Sequence, residues 1–405
     1  MDDNIGARLR TLRRWRGMTQ AELAGLAGLS MSFISMVEHG KRPLDRRSHI
    51  SALATALRVS EAELVGAPHL GTDSNQSDPH LAVPALRVAL QTNTLTEPAV
   101  DRARPLADLA RTLSDGLGPL RRRCDYVALG AQLPALLDEL HVHTAAPDDE
   151  AAHRLALETL VETCVAAAMT AKNLGYPDLA YLAAVRAHEA AEVTGDPVQR
   201  GKAAFLRLQT SPWAGATDRM ITLADRAAGE LEPFATTPLS VEVLGMVTLT
   251  ASLAGAVAHK DDLAIHWLSE AAALAARLPT DRHRETWQSF SSTNVAVWQV
   301  TVGVERGLSG QSVLELARQV DTAQLADRPS RHAGFQVDVG RGLARDPRTR
   351  TEAVRWLRSA ETTAPQRVRN SAAARETVSY LLNRAVATAG GRELRGMAAR
   401  LGVPH

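Results

Sequence analysis

Met31, Ser32 and Ser35, with Met36 and His39 further along, fall on the outward side of a short segment whose inward positions are Ile34 and Val37. A helix with such a face can lie in a major groove and set its N-terminal residues against base edges. Just downstream, KRPLDRRSHI is a basic turn in which Lys41, Arg42, Arg46 and Arg47 are candidates for a phosphate track. Contacts of that kind fix register and give salt-dependent affinity without choosing a sequence. The chemistry suggested is recognition of a duplex, not bond-making. A solvated charged loop is the bland reading of the basic turn, and its position next to the helix favours the phosphate track.

The elements that would position these residues are legible nearby. Thr19-Gln20-Ala21-Glu22 reads as a capping box that opens a helix carrying Leu23, Ala24 and Leu26 and breaking at Gly28. Ser30 is the N-cap of the next helix, and Gly40 with Pro43 ends it. A preceding helix from about Ile5 to Arg16 buries Ile5, Leu9 and Leu12. A later one around Ile50, Leu53 and Leu57, followed by a second capping box at Ser60 and Glu63, completes a five-helix unit.

From the LRxLRR segment through TQAELAGLAGLSMSFISMVEHG to ALRVSEAEL, residues 5–66 resemble the XRE family of phage-repressor-like helix-turn-helix regulators. The resemblance implies that Met31, Ser32 and Met36 face bases. It places Gln20, Ser30 and Ser35 at the DNA backbone and makes Arg13 and Glu38 an internal structural pair. Methionine cannot make the bidentate contacts that read adenine or guanine, so thymine-methyl contacts, serine hydroxyls and DNA shape would carry the readout.

The chain has 405 residues, too many for one small module. Aromatics are sparse at 4 % while alanine and leucine dominate, a composition that favours packed helices. Net charge is +1, but residues 1–66 carry ten Lys/Arg against seven Asp/Glu, which concentrates the positive field at the N-terminal end. Two distant cysteines, Cys124 and Cys164, give no disulfide framework, and a reducing cytoplasm is the natural compartment. The N-terminus has no apolar signal core and no uninterrupted apolar run of membrane-spanning length stands out.

Residues 67–82 are polar and rich in Gly, Pro, Ser and Asn, and read as a flexible linker. Residues 83–405 read as helix after helix, including segments 105–114, 133–141 and 151–174, punctuated by short Gly/Pro/Asp turns that make neighbours antiparallel. YPDLAYLAAVRAHEAA, KDDLAIHWLSEAAALAA and TRTEAVRWLRSAETTA share a pattern that recurs in multiples of roughly 40 to 45 residues, with ATDRMITLADRAAGE as a weaker copy. This resembles divergent tetratricopeptide (TPR)-like repeats, and an irregular bundle is the alternative. DYVALGAQLPALLDELH, FQVDVGRGLARDP and ELRGMAARLGV look like the effector half of actinobacterial XRE regulators with TPR-like domains.

The expected fold is therefore all-α, with a five-helix reader at 1–66, a linker at 67–82 and a TPR-like repeat domain at 83–405. No Gly-rich phosphate loop, HExxH, GxSxG or paired-carboxylate motif is present, so no enzymatic activity and no cofactor are expected. His141-x-His143 near Asp148 and Asp149 is a poor metal site, because that spacing splays the rings on a helix. Trp287, Ser291, Asn294 and Trp298 fall at i, i+4, i+7 and i+11, on one face if one helix spans them, and form either a ligand stripe or core packing. Gln336 and Asp338 are weaker candidates. The function implied is a homodimeric transcription regulator on an inverted-repeat DNA operator, with a peptide or small-molecule effector and no membrane role. The rival is a scaffold whose repeats hold a partner protein.

Overall fold

The computed structural model describes residues 4–68, 74–279, 286–384 and 390–403. No strand occurs among them, and the fold is all-α. The N-terminal unit comprises α1 (Ile5–Trp15), α2 (Gln20–Ala27), α3 (Met31–Glu38), α4 (Arg47–Leu57) and α5 (Glu61–Val65). Side chains start four of them. The Asn4 side chain accepts from Ala7 N at 2.7 Å, and Ser30 Oγ accepts from Phe33 N at 3.1 Å. Capping boxes open α2 (Thr19 and Glu22) and α5 (Ser60 and Glu63). Each cap contributes about 1 kcal/mol.

Gly28 holds a left-handed conformation at φ +64° and meets no atom within 4 Å of an added Cβ, so glycine is needed there for its backbone and not for space. The turn bends α2 and α3 by 115°. Leu9, Leu23, Phe33, Ile34, Val37, Leu53 and Leu57 then meet in one small core. Leu26, by contrast, is 65 % exposed.

Beyond the reader the chain builds helical hairpins. Glu150–Asn173 pairs with Pro177–Thr194, Pro197–Thr210 with Thr217–Leu231, and Pro238–Val257 with Asp261–Ala276. Ser292–Arg306 pairs with the short Gln311–Ala317, and Pro329–Ala344 with Arg350–Thr363. The first helices pack against one another in succession, and each second helix flanks that row. Alanines at Ala180, Ala183, Ala184 and Ala187 are fully buried where such helices approach closely. The sequence period falters in the fourth hairpin because its second helix is only seven residues long.

Two expectations are corrected. The segment expected as a flexible linker, 67–82, is ordered from residue 74: Ser74–Ser77 is helical and Asp78–Ala82 is a 3-10 turn. Gln76 Nε2 donates to the Arg369 carbonyl at 3.0 Å, and His80 bridges the Tyr176 hydroxyl and Asn370 Oδ1, both at 2.9 Å. Polar composition there serves buried hydrogen bonds instead of solvation; residues 69–73 lie outside the described residues. The helix read at 133–141 spans Tyr126–Ala145 and continues through Pro134. Pro238–Val257, which Glu242 interrupts, is long and apolar enough to cross a membrane, but from Ser240 to Val257 it is buried in the middle of the helical row. An all-round apolar helix is what a position with neighbours on every side requires.

Two glycines in the reader are expected to respond oppositely to alanine. A Cβ at Gly6 would sit 2.2 Å from the Val37 carbonyl oxygen, backbone against backbone, whereas Gly25 has nothing within 4 Å. Gly6→Ala should lose about 1–3 kcal/mol through overpacking, and Gly25→Ala should gain up to about 1 kcal/mol of helix propensity. Thermal unfolding of the two variants checks this, and equal shifts would contradict the α1–α3 contact.

Candidate nucleic-acid interface and the adjoining cavity

The face of α3 is displayed as its caps dictate. Met31 is 57 % exposed, Ser32 is also exposed, and Ser35 and Met36 are half-buried. Phe33, which the sequence reading passed over, is core: it meets His49 edge-to-face at 4.8 Å between ring centroids. Burial and the neighbouring Arg46 push His49 down to about 4, so it packs as a neutral ring. Behind the face, Arg13 Nε and Nη2 grip both Glu38 oxygens at 2.6 and 2.9 Å, and Arg13 Nη1 donates to the Met18 carbonyl at 2.7 Å. Burial pushes the Glu38 carboxyl upward, but Arg13 and Gln20 outweigh it and hold the group below its usual range. Gln20, expected on a DNA phosphate, donates its amide to Glu38 at 2.8 Å and so braces the same pair. The Ser30 hydroxyl is engaged as the α3 cap.

The basic turn divides. Lys41 and Arg42 are exposed, and the Arg42 guanidinium lies 4.8 Å from the Phe33 ring centroid. Arg46 and Arg47, also expected on phosphates, instead face the helical body. Arg46 Nε donates to the Glu305 carbonyl at 2.8 Å. Arg47 donates to the Glu305 carboxylate from its backbone N at 2.8 Å and from Nη1 at 2.6 Å. A buried carboxylate at 1 % side-chain exposure outcompetes solvent for these arginines.

Glu305 is one node of a buried network. Arg341 Nη2 donates to Glu305 at 2.9 Å, Arg341 Nη1 to Asp338 at 2.8 Å, and Arg345 Nη2 to Asp45 at 2.9 Å. Arg341 also donates to the Asp45 carbonyl, so the reader's turn is tied to the body through main chain and side chain. Nearby, Leu44 N donates to Glu376 Oε1 at 3.0 Å, and burial pushes that carboxyl up to about 8. The sequence reading missed this network. Its one trace was the run VDVGRGLA, where Asp338 and Arg341 stand three apart among apolar residues and glycines.

The four-residue ligand stripe does not form one helix face. The helix starts at Ser292, with Ser291 as its cap, while Trp287 sits in a separate 3-10 turn whose next residue, Gln288, is left-handed. Trp287 Nε1 donates to Glu162 at 2.9 Å and its ring packs on Phe205. Asn294 is buried with its amide against the Met246 sulfur. Only Trp298 of the four lines the large cavity of about 840 Å³ at the centre of the body. Asp338 lines it too, while Gln336 is buried and donates to Ser359 Oγ at 2.8 Å. His141 bonds the Leu137 carbonyl and His143 that of Arg104. Among the described residues no group of three or more potential metal ligands gathers. Cys124 and Cys164 are buried free thiols.

Residues 4–65 match the family described as Helix-turn-helix domain. Over 63 residues the chain is 40 % identical to RghRB of Bacillus subtilis strain 168, described as an uncharacterized HTH-type transcriptional regulator. That stretch covers 16 % of this chain and 45 % of the relative. No solved structure matches the chain significantly. The N-terminal unit is thus a helix-turn-helix domain, and the likeness stops where the helical body begins.

Glu305 offers a test of the seam. Burial alone would raise its carboxyl, but Arg47 and Arg341 overwhelm that effect and hold it down to about 2. A depressed carboxyl contributes stability that is present above its unfolded value of about 4.5 and is lost as pH falls toward 2. Glu305→Gln should cost about 3–5 kcal/mol at pH 7, the scale for breaking a buried pair. It should also flatten the acid limb between pH 4.5 and 2. Urea unfolding across pH checks both, and an unchanged acid limb would contradict the network.

Proposed function

We propose that this chain is a cytoplasmic, non-enzymatic transcription regulator that binds double-stranded DNA through its helix-turn-helix domain. The observation that carries the reading is the α3 face. Met31 and Ser32 stand exposed at the N-terminal end of a helix set at 115° to its partner, the arrangement that lets such a helix enter a major groove. Lys41 and Arg42 beside it are the proposed phosphate contacts, and Met31, Ser32 and Met36 the proposed base contacts. One such module touches few bases, so a homodimer on an inverted repeat is the working assembly. The hairpin array, read as a divergent TPR-like domain, supplies dimerisation and senses a peptide or small-molecule signal. A reader anchored to that array through Glu305 and Arg341 supports the coupling such a sensor needs.

Selection of host genomic fragments by the full-length protein at two salt concentrations is the test. Recovery of a symmetric site whose binding falls at least about tenfold in Met31→Ala/Ser32→Ala is expected, since a lost base contact costs about 1–3 kcal/mol. Lys41→Ala/Arg42→Ala should weaken all sequences alike and lower the salt slope by about two. Recovery of sequence-indifferent DNA alone would contradict the reading.

A further inference from the structure

We infer that the central cavity is the effector site and that it takes a small organic molecule carrying two or more negative charges beside a flat ring. The inference rests on reading the body as a sensor, and it names the chemistry sensed. At about 840 Å³ the cavity falls within the range of small-molecule sites. Seven Lys or Arg side chains line it against two aspartates. One of those, Asp338, already accepts from Thr301 at 2.7 Å and from Arg341 at 2.8 Å. Of the cations, Lys172 donates to the Gln209 amide oxygen and Arg367 to Ser330 Oγ at 3.1 Å, while Arg331 lies 5.9 Å from the Trp298 ring centroid. All three of these contacts are with neutral groups.

Positive charge is therefore crowded against positive charge. Lys172 keeps contact with solvent, yet the protein crowded around it, then Arg47, Arg367 and Arg331, hold its ammonium below the ordinary lysine range. Burial and Arg367 push Arg331 down to about 10. A dianion set among these groups would draw both back toward their ordinary range, so its binding relieves a repulsion built into the fold. The walls also offer unused polar groups. Trp298 and Thr170 are 6 % and 3 % exposed, both line the cavity, and neither Trp298 Nε1 nor Thr170 Oγ1 has a partner in the protein. Trp213, Trp298 and Phe335 provide faces on which a planar ring can stack.

Arg47 connects the cavity to the reader. It lines the cavity, opens α4 and holds Glu305 through backbone and side chain. An anion beside Lys172 and Arg331 competes with Glu305 for Arg47, and the reader's dock is loosened in proportion. The ligand thus shifts the population of docked readers.

The experiment uses full-length protein, with pyrophosphate, ATP and the uncharged ring compound adenosine as probes, read by tryptophan fluorescence and melting temperature. A charge-built site is undemanding, so pyrophosphate and ATP should both bind saturably below a few millimolar while adenosine does not. Lys172→Met and Arg331→Met should each weaken ATP at least tenfold, and Arg219→Ala, exposed and away from the cavity lining, should leave it unchanged. Both cavity variants remove charge from a repelling cluster and should melt no lower than the parent. That result excludes misfolding as the cause of lost binding. Absence of a saturable response to either anion, or a response undiminished in both cavity variants, overturns the assignment. Saturable binding of an acidic peptide without any response to ATP or pyrophosphate also overturns it. Affinity for the selected DNA site, measured without probe, separates the two readings. Intact sequence-specific binding with no anion response removes the effector site and leaves the regulator, whereas absent specific binding removes the regulator whatever the cavity binds.

Discussion

Arg341 is the residue on which the arrangement of the two parts depends. It is 2 % exposed and reaches three acids from different segments: Asp45 in the reader's turn, Glu305, and Asp338 on its own helix. Taking these charges out of water is expensive, and a buried ion pair is weak grounds for claiming extra stability. Its effect is better understood as registry. A guanidinium is planar and forked, so it satisfies several acids only when they converge at one angle and distance. Apolar groups of the same volume would tolerate sliding, and this network does not. The reader is thereby fixed against the body in one orientation, with the α3 face left exposed.

That constraint also explains why half of the basic turn reads incorrectly from sequence. Four cations next to a recognition helix invite one interpretation, and the local signals carry nothing to separate Lys41 and Arg42 from Arg46 and Arg47. What separates them is Glu305, some 258 positions away along the chain. By contrast, the elements of the reader were legible because their determinants are local: Thr19 with Glu22, Ser60 with Glu63, the Ser30 cap and the left-handed Gly28 each act within four residues. The Arg13–Glu38 pair spans 25 residues and came only through resemblance.

The helical body shows the same division. Its repeat pattern is visible because Ala180, Ala264 and Ala353 recur where helices must touch. The pattern was lost where the chain departs from the hairpin rule, at the 3-10 turn of Trp287 and in the truncated fourth hairpin. The proposed ligand stripe failed for this reason. A helical wheel assumes continuous helix, and Gln288 at φ 51° breaks that assumption between the first tryptophan and the second. The cavity cations were invisible for a different reason. Lys172, Arg331 and Arg367 sit on three separate helices, each looking like an ordinary surface charge in its own segment.

Placing a surplus of positive charge next to a charge-balanced network has a thermodynamic consequence. Arg47 belongs to both, so any change in the potential of the cavity alters the balance at Glu305. Coupling between two sites is a free energy, and it is reciprocal. If an anion weakens the grip of Glu305 on Arg47 and thereby changes DNA affinity by some factor, bound DNA must change anion affinity by the same factor. The sign follows from the state DNA prefers. A docked reader that is the binding-competent form makes the anion an antagonist, and a released reader makes it an agonist. Arg47 need not move far for either outcome, because it makes two hydrogen bonds to one carboxylate, and losing the side-chain bond leaves the backbone bond as a hinge.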